Sequence, residues 1–182
     1  MKKVFWVMGM VLCSVLSAEA QKNTLLVYGN LDALSAKSAT GVKSSTFSIS
    51  PGVGYQLDDH WTAGVNLASH NTKSGSPEVK TTSFGAGPFI RYAYALSDIF
   101  AVYGQFNANV LAGKTAGVKS NGFQGNLFPA IGVNLKNGFA LNFNFGSLAF
   151  GSNKVKGADA ATNFGLSFGS GAGFGISKNF GL

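Results

Sequence analysis

Several ingredients are scarce in this 182-residue chain, and each shortage closes off a class of protein. Cysteine occurs once, as Cys13 near the N-terminus, so the rest of the chain has no disulfide and no thiolate metal site. Charged residues make up 12%, about half of what a soluble surface carries, while an apolar fraction of 46% is too high for disorder. Something other than water must cover part of the molecule. After residue 20 no apolar run approaches the ~18 residues of a membrane helix, which excludes a helical integral protein. The two histidines and the few acids form no ligand cluster, so neither a metal nor any other cofactor is expected. Glycine is abundant at 25, yet it follows no three-residue period and collagen is out.

What is present begins with an export signal. Lys2 and Lys3 precede the mainly apolar stretch Val4 to Leu16, and Ser17-Ala18-Glu19-Ala20 completes the pattern. Charged start, short apolar middle and Ala-x-Ala end predict a signal peptide over 1–20, cleaved between Ala20 and Gln21. A lipoprotein reading of Cys13 is weaker, because Leu12 stands where a small residue should precede a lipidated cysteine. Residues 21–182 are then one domain.

Through that domain runs a period of two. In Phe139-Ala140-Leu141-Asn142-Phe143-Asn144-Phe145-Gly146 every odd position is large and apolar, and every even one small or polar. Eight such segments lie near 23–33, 44–56, 60–71, 81–95, 98–112, 121–135, 138–150 and 162–180, and they predict strands with two unlike faces. The polar face holds Gly, Ser, Asn, Gln, Ala and Tyr, with Arg91 almost alone as an ion. A solvated sheet face normally carries Lys and Glu. Uncharged amides beside glycines suit an enclosed interior where polar groups find one another. The greasy face therefore points outward, to lipid.

The connections read as short turns at Leu57-Asp58-Asp59, Leu96-Ser97-Asp98 and Lys136-Asn137-Gly138, and as longer loops near 34–43, 72–80, 113–120 and 151–161. Pro51-Gly52-Val53-Gly54-Tyr55, Pro88-Phe89-Ile90-Arg91-Tyr92 and Pro129-Ala130-Ile131-Gly132-Val133 form a repeat, each followed across its turn by an aromatic: Trp61, Phe100 and Phe139. Proline removes a ladder donor, so a bulge or widened ladder is expected at each.

At these residues the chain resembles the small eight-stranded outer-membrane barrels grouped as porin-like or OmpA/OmpX-like β-barrel proteins, over essentially residues 22–182. The resemblance implies an all-β, eight-stranded antiparallel up-and-down transmembrane barrel in the outer membrane of a Gram-negative bacterium. It implies little about function. Such barrels usually end on an aromatic assembly signal, whereas this chain ends Phe180-Gly181-Leu182, leaving Phe180 two places early.

Aromatics gather at both ends of the segments, Tyr55, Trp61, Tyr92, Tyr94, Phe100 and Phe139 at one and Phe47, Phe84, Phe123 and Phe164 at the other, as interfacial belts do. Without Lys2, Lys3 and Glu19, the chain keeps 12 basic and 6 acidic residues, net +6. Eight of those basics, Lys37, Lys43, Lys73, Lys80, Lys114, Lys119, Lys154 and Lys156, fall in or beside the longer loops, opposed there by Asp32, Glu78 and Asp159. A basic rim attracts anionic surfaces such as lipopolysaccharide phosphates. The plainer alternative is that these lysines only keep the loops solvated. An exported chain with scattered lysines is not expected to bind nucleic acid.

Catalytic patterns are thin. His70 with Ser74 or Ser76 and Glu78 is the only local set that imitates a lipid A deacylase. Gly165 to Gly175 opens no helix and suits small barrel-interior residues better than a phosphate loop. Arg91, near Gln56, Tyr103 or Asp98, is expected to act as an interior structural anchor, in a lumen just filled by side chains. The sequence thus reads as a monomeric, non-catalytic outer-membrane barrel whose partners are membrane lipids. The alternatives are a periplasmic lipocalin-like binder of a hydrophobic ligand and a lipid A-modifying enzyme.

Overall fold

The computed structural model describes residues 23–38, 41–75 and 77–181. The expected signal segment, with Cys13, lies outside them. Eight strands follow one another: β1 (Thr24–Lys37), β2 (Lys43–Gln56), β3 (Trp61–Ser74), β4 (Val79–Ala95), β5 (Phe100–Thr115), β6 (Val118–Asn134), β7 (Phe139–Val155) and β8 (Ala160–Gly181). Each pairs antiparallel with the next, and β8 returns to β1, closing a barrel. Among the described residues no helix is long and apolar enough to cross a membrane. Strands of 14 to 22 residues exceed the ~10 that span the hydrocarbon layer at a steep tilt.

The large apolar side chains point outward, as the alternation requires. Val65 is 62% exposed, Leu166 73% and Phe168 75%, while Asn66, Thr62, Asn109 and Asn142 on the opposite parity are buried. Phe143 meets Phe174 and Phe145 meets Phe168 on that outer surface, with centroids 5.7 Å apart in each pair. A lipocalin-like arrangement would need these rings inside.

Turn chemistry fixes the lower end, where Thr24 and Gly181 also pair. Asp58 Oδ1 accepts the N–H of His60 and of Trp61, each at 2.7 Å, and Ser97 Oγ accepts the N–H of Phe100 at 3.0 Å. Asn137 and Gly138 both take positive φ, 62° and 73°, in the 3-10 turn Lys136–Gly138, as an Asn-Gly hairpin demands.

The upper end departs from expectation. The segments near 34–43, 72–80, 113–120 and 151–161 are not long loops. The strands run on through most of them, and the connectors shrink to 38–42, 75–78, 116–117 and 156–159. Alternation fades where a strand leaves lipid and water reaches both faces, so a hydropathy pattern ends before the hydrogen-bond ladder does. Each upper connector turns on a glycine at positive φ, the tightest being Ala116-Gly117 with φ of 50° and 83°.

The three prolines each interrupt one ladder. Pairing between β2 and β3 lapses at Ser50 and Pro51 and resumes in the same register. It does the same between β4 and β5 at Gly87 and Pro88. At Phe128 and Pro129 the ladder to β7 shifts by one residue, a bulge. A larger irregularity lies in β8, where Gly169 takes φ of 69° and five residues, 169–173, stand opposite Asn144 and Phe145. The glycine-rich stretch keeps strand parity on both sides but serves as a bulge more than as lumen filling. The closing ladder between β1 and β8 is short, running only from Thr24↔Gly181 to Asn30↔Gly175.

Candidate functional site

The lumen is sealed across its middle by one polar and aromatic layer. Arg91 on β4 donates from Nε and Nη2 to Gln105 Oε1 on β5, at 2.8 and 2.6 Å. Gln105 is 0% exposed and its Nε2 donates onward to the Tyr28 hydroxyl and to Asn107 Oδ1, both at 2.8 Å. The Arg91 guanidinium lies 4.2 Å from the Tyr103 ring centre and 5.0 Å from that of Tyr28, a cation–π sandwich. Phe89 packs edge-on to Tyr28 and Phe128 to Tyr103. Arg91 is buried in the lumen, but the hydrogen-bond partners expected for it need correcting. Gln56 bonds Thr24 instead, Tyr103 offers its ring, and Gln105 takes the place suggested for Asp98. Two-residue periodicity could not reveal this, because the partner is set by the stagger between β4 and β5, which places Arg91 directly opposite Gln105.

Side chains do not fill the whole lumen. Above the sealing layer lies a cavity of about 440 Å³, lined among others by Asn30, Asn66, Asn107, Asn126 and His70. Below it, beside Thr62, Asn142 and Ser177, only about 70 Å³ remains. His70 Nδ1 lies 2.7 Å from Ser48 Oγ and its Nε2 2.8 Å from Thr72 Oγ1. Glu78 instead meets Lys73 Nζ at 3.7 Å, so the deacylase-like set is not brought together; Ser76 lies outside the described residues. No group of three or more His, Cys, Asp or Glu capable of holding a metal occurs among the described residues.

The outer surface carries the more distinctive arrangement. Read upward, the outward row of β2 is Tyr55, Val53, Pro51, Ile49, Phe47, Ser45, Lys43, and that of β6 is Val133, Ile131, Pro129, Leu127, Gly125, Phe123, Asn121, Lys119. An apolar band, one small or polar residue, then lysine is the rule, with minor variation, on seven of the eight strands. Lys37, Lys43, Lys73, Lys80, Lys114, Lys119 and Lys154 are those seven, all at outward parity, and Lys156 stands just above Lys154. The lysines expected on loops are thus strand residues in a ring. Three pairs are directly opposed across hairpins: Lys37↔Lys43, Lys73↔Lys80 and Lys114↔Lys119. Like charges placed so are unfavourable; Lys73 is relieved by Glu78, 3.7 Å away. The signal was available in the sequence as the shared parity of each lysine with the phenylalanines below it.

At the opposite end Trp61, Tyr92, His60 and Tyr94 form an aromatic cluster, with Trp61 and Tyr92 centroids 4.9 Å apart. Lys178 lies over the rings of Phe139 and Phe180 at 4.5 and 4.8 Å, so Phe180 joins this lower belt.

A closed antiparallel barrel, greasy outside and polar within, girdled by aromatics, is a transmembrane β-barrel. The chain belongs to the outer membrane protein beta-barrel domain family, whose model matches residues 7–182. Among solved structures it is similar to Neisserial surface protein A (NspA), at 12% identity and a TM-score of 0.50, covering 90% of this chain and 100% of that one. It is equally similar to the outer membrane protein OprG from Pseudomonas aeruginosa, at 14% identity and a TM-score of 0.50, with the same coverage. At such identities the likeness concerns the fold alone. No curated protein matches the chain.

Proposed function

We propose that this outer-membrane barrel is a non-catalytic, monomeric surface component, exported through a cleaved signal over 1–20, that holds the anionic headgroups of the surrounding leaflet with its lysine ring. The supporting observation is the outward parity of a lysine at the top of seven strands, directly above the lipid-facing band. Lysine stems lie along apolar surface while their ammonium groups reach headgroup level. Phosphate-bearing lipids such as lipopolysaccharide supply the charge that relieves the lysine–lysine repulsion. The interior does not compete for this role, because the Arg91–Gln105 layer interrupts the lumen.

The test is binding of the folded barrel to vesicles containing lipopolysaccharide at rising salt. Exchanging all seven strand lysines for glutamine is expected to abolish the salt-sensitive part of binding while the heat-induced gel shift of a folded barrel persists. Undiminished binding by that variant would remove the proposal.

A further inference from the structure

The ring is not uniform. Between Asp98 and Asp159 the sequence contains no acidic residue at all, and that interval spans the whole of β5, β6 and β7. Four lysines meet at the top of these three strands. Lys114 and Lys119 are directly opposed. The Lys156 N–H donates to the Lys119 carbonyl at 2.9 Å, which sets Lys156 beside Lys119. Lys154, opposite Asn121, completes the patch. With adjacent strands ~4.8 Å apart, these four cations occupy a patch on the order of 10 Å wide. Elsewhere on the ring Lys73 is answered by Glu78.

Beneath the patch, on the same three strands, lies an aromatic wall. Phe106, Phe150 and Phe123 form a chain of rings, with centroids 6.3 Å apart in the first pair and 6.2 Å in the second. Gly125 stands opposite Phe150, and the Phe150 ring lies across the space where a Gly125 side chain would be. That missing side chain is what lets one ring reach from β7 over β6 toward β5. Phe123 is four residues below Lys119 and Phe150 four below Lys154, roughly 13 Å along the strand. Cations above and a flat apolar wall below match an amphiphile with phosphates at its head and acyl chains beneath.

We infer that the outer face of β5–β7 is a specific docking site for a lipid bearing two phosphates, the lipid A part of lipopolysaccharide. Asp159, in the same turn as Lys156 and next to Ala160, the partner of Lys154, offsets one of the four ammonium groups. The remaining charge of about +3 exceeds the roughly −1.5 to −2 that one phosphate monoester carries near neutral pH, so two phosphates balance the patch and one does not. This inference rests on the proposal that the ring holds headgroups, and goes further by assigning one side of the barrel and one ligand.

The experiment titrates the full folded barrel, in phosphatidylcholine vesicles, with bisphosphorylated lipid A, with its monophosphorylated form and with phosphatidylglycerol. One variant carries Lys114→Gln, Lys119→Gln, Lys154→Gln and Lys156→Gln. A charge-matched control carries Lys37→Gln, Lys43→Gln, Lys73→Gln and Lys80→Gln. The site predicts at least a tenfold loss of affinity for bisphosphorylated lipid A in the first variant, no more than twofold in the control, and at least fivefold weaker binding of the monophosphorylated lipid. Phe123→Ala with Phe150→Ala should weaken binding severalfold at an unchanged salt slope. Equal losses in the two lysine variants would overturn the one-sided site and leave the ring. Full retention in both would overturn the ring as well. Phosphatidylglycerol binding as tightly as lipid A would overturn the assignment of the ligand.

Discussion

Gln105 Oε1 accepts two hydrogen bonds from Arg91, through Nε at 2.8 Å and Nη2 at 2.6 Å, and among the described residues no carboxylate pairs with this guanidinium. A neutral amide and two aromatic faces hold a buried charge. Removing the amide leaves charged donors unpaired where water is scarce. Gln105→Ala is therefore expected to cost about 3 kcal/mol, and Gln105→Glu, which keeps an acceptor for Arg91 but loses the Nε2 donation to Asn107, to recover part of that. Urea unfolding midpoints in vesicles measure both.

Trp61 is the one tryptophan after residue 20, and it sits in the lower aromatic belt against Tyr92. Brominated lipids report depth directly. Quenching should be strongest with bromines near the headgroups and weak with bromines at the acyl termini. The reverse order would place this belt at the bilayer centre and contradict the assigned orientation.

Gly138 and Gly104 separate conformation from packing. Gly138 takes φ of 73° and a Cβ there would lie 2.5 Å from the Asn179 carbonyl oxygen, whereas nothing lies within 4 Å of a Cβ on Gly104. Gly138→Ala is expected to cost about 1–2 kcal/mol. Gly104→Ala should be neutral or slightly stabilising. Thermal gel-shift midpoints of the two variants test the contrast.

The Lys73–Glu78 pair spans 3.7 Å with both side chains more than half exposed. An ion pair in such a place is largely screened. Glu78→Gln should shift stability by less than about 0.5 kcal/mol, yet raise the affinity of that side of the ring for anionic vesicles at low salt. A stability loss of several kcal/mol would show that the pair holds the β3–β4 hairpin together.

Strand number, closure and facing were legible because the membrane enforces the two-residue period most strongly where strands cross it. Phe139 to Phe145 shows this most plainly, and the proline repeat also marked where ladders lapse. Legibility ended with the lipid. From Thr72 to Thr82, polar residues on both faces hide a hairpin that pairs as far as Ser74↔Val79, and the glycine in the turn was the overlooked clue. The lysines were visible as a rim but not as a ring, since a loop reading discards parity. Arg91 stood out as an ion, while its partner Gln105 depended on stagger between strands, which no single strand encodes.

The seven-pair ladder between β1 and β8 contrasts with the sixteen pairs joining β5 to β6. Among the described residues, β1 above Asn30 is bonded to β2 alone, and β8 above Gly175 to β7 alone. The alternate backbone amides from Leu31 to Lys37 that point away from β2 thus exchange their protons earliest, and the wall comes apart as a zip does, from its shortest row of teeth.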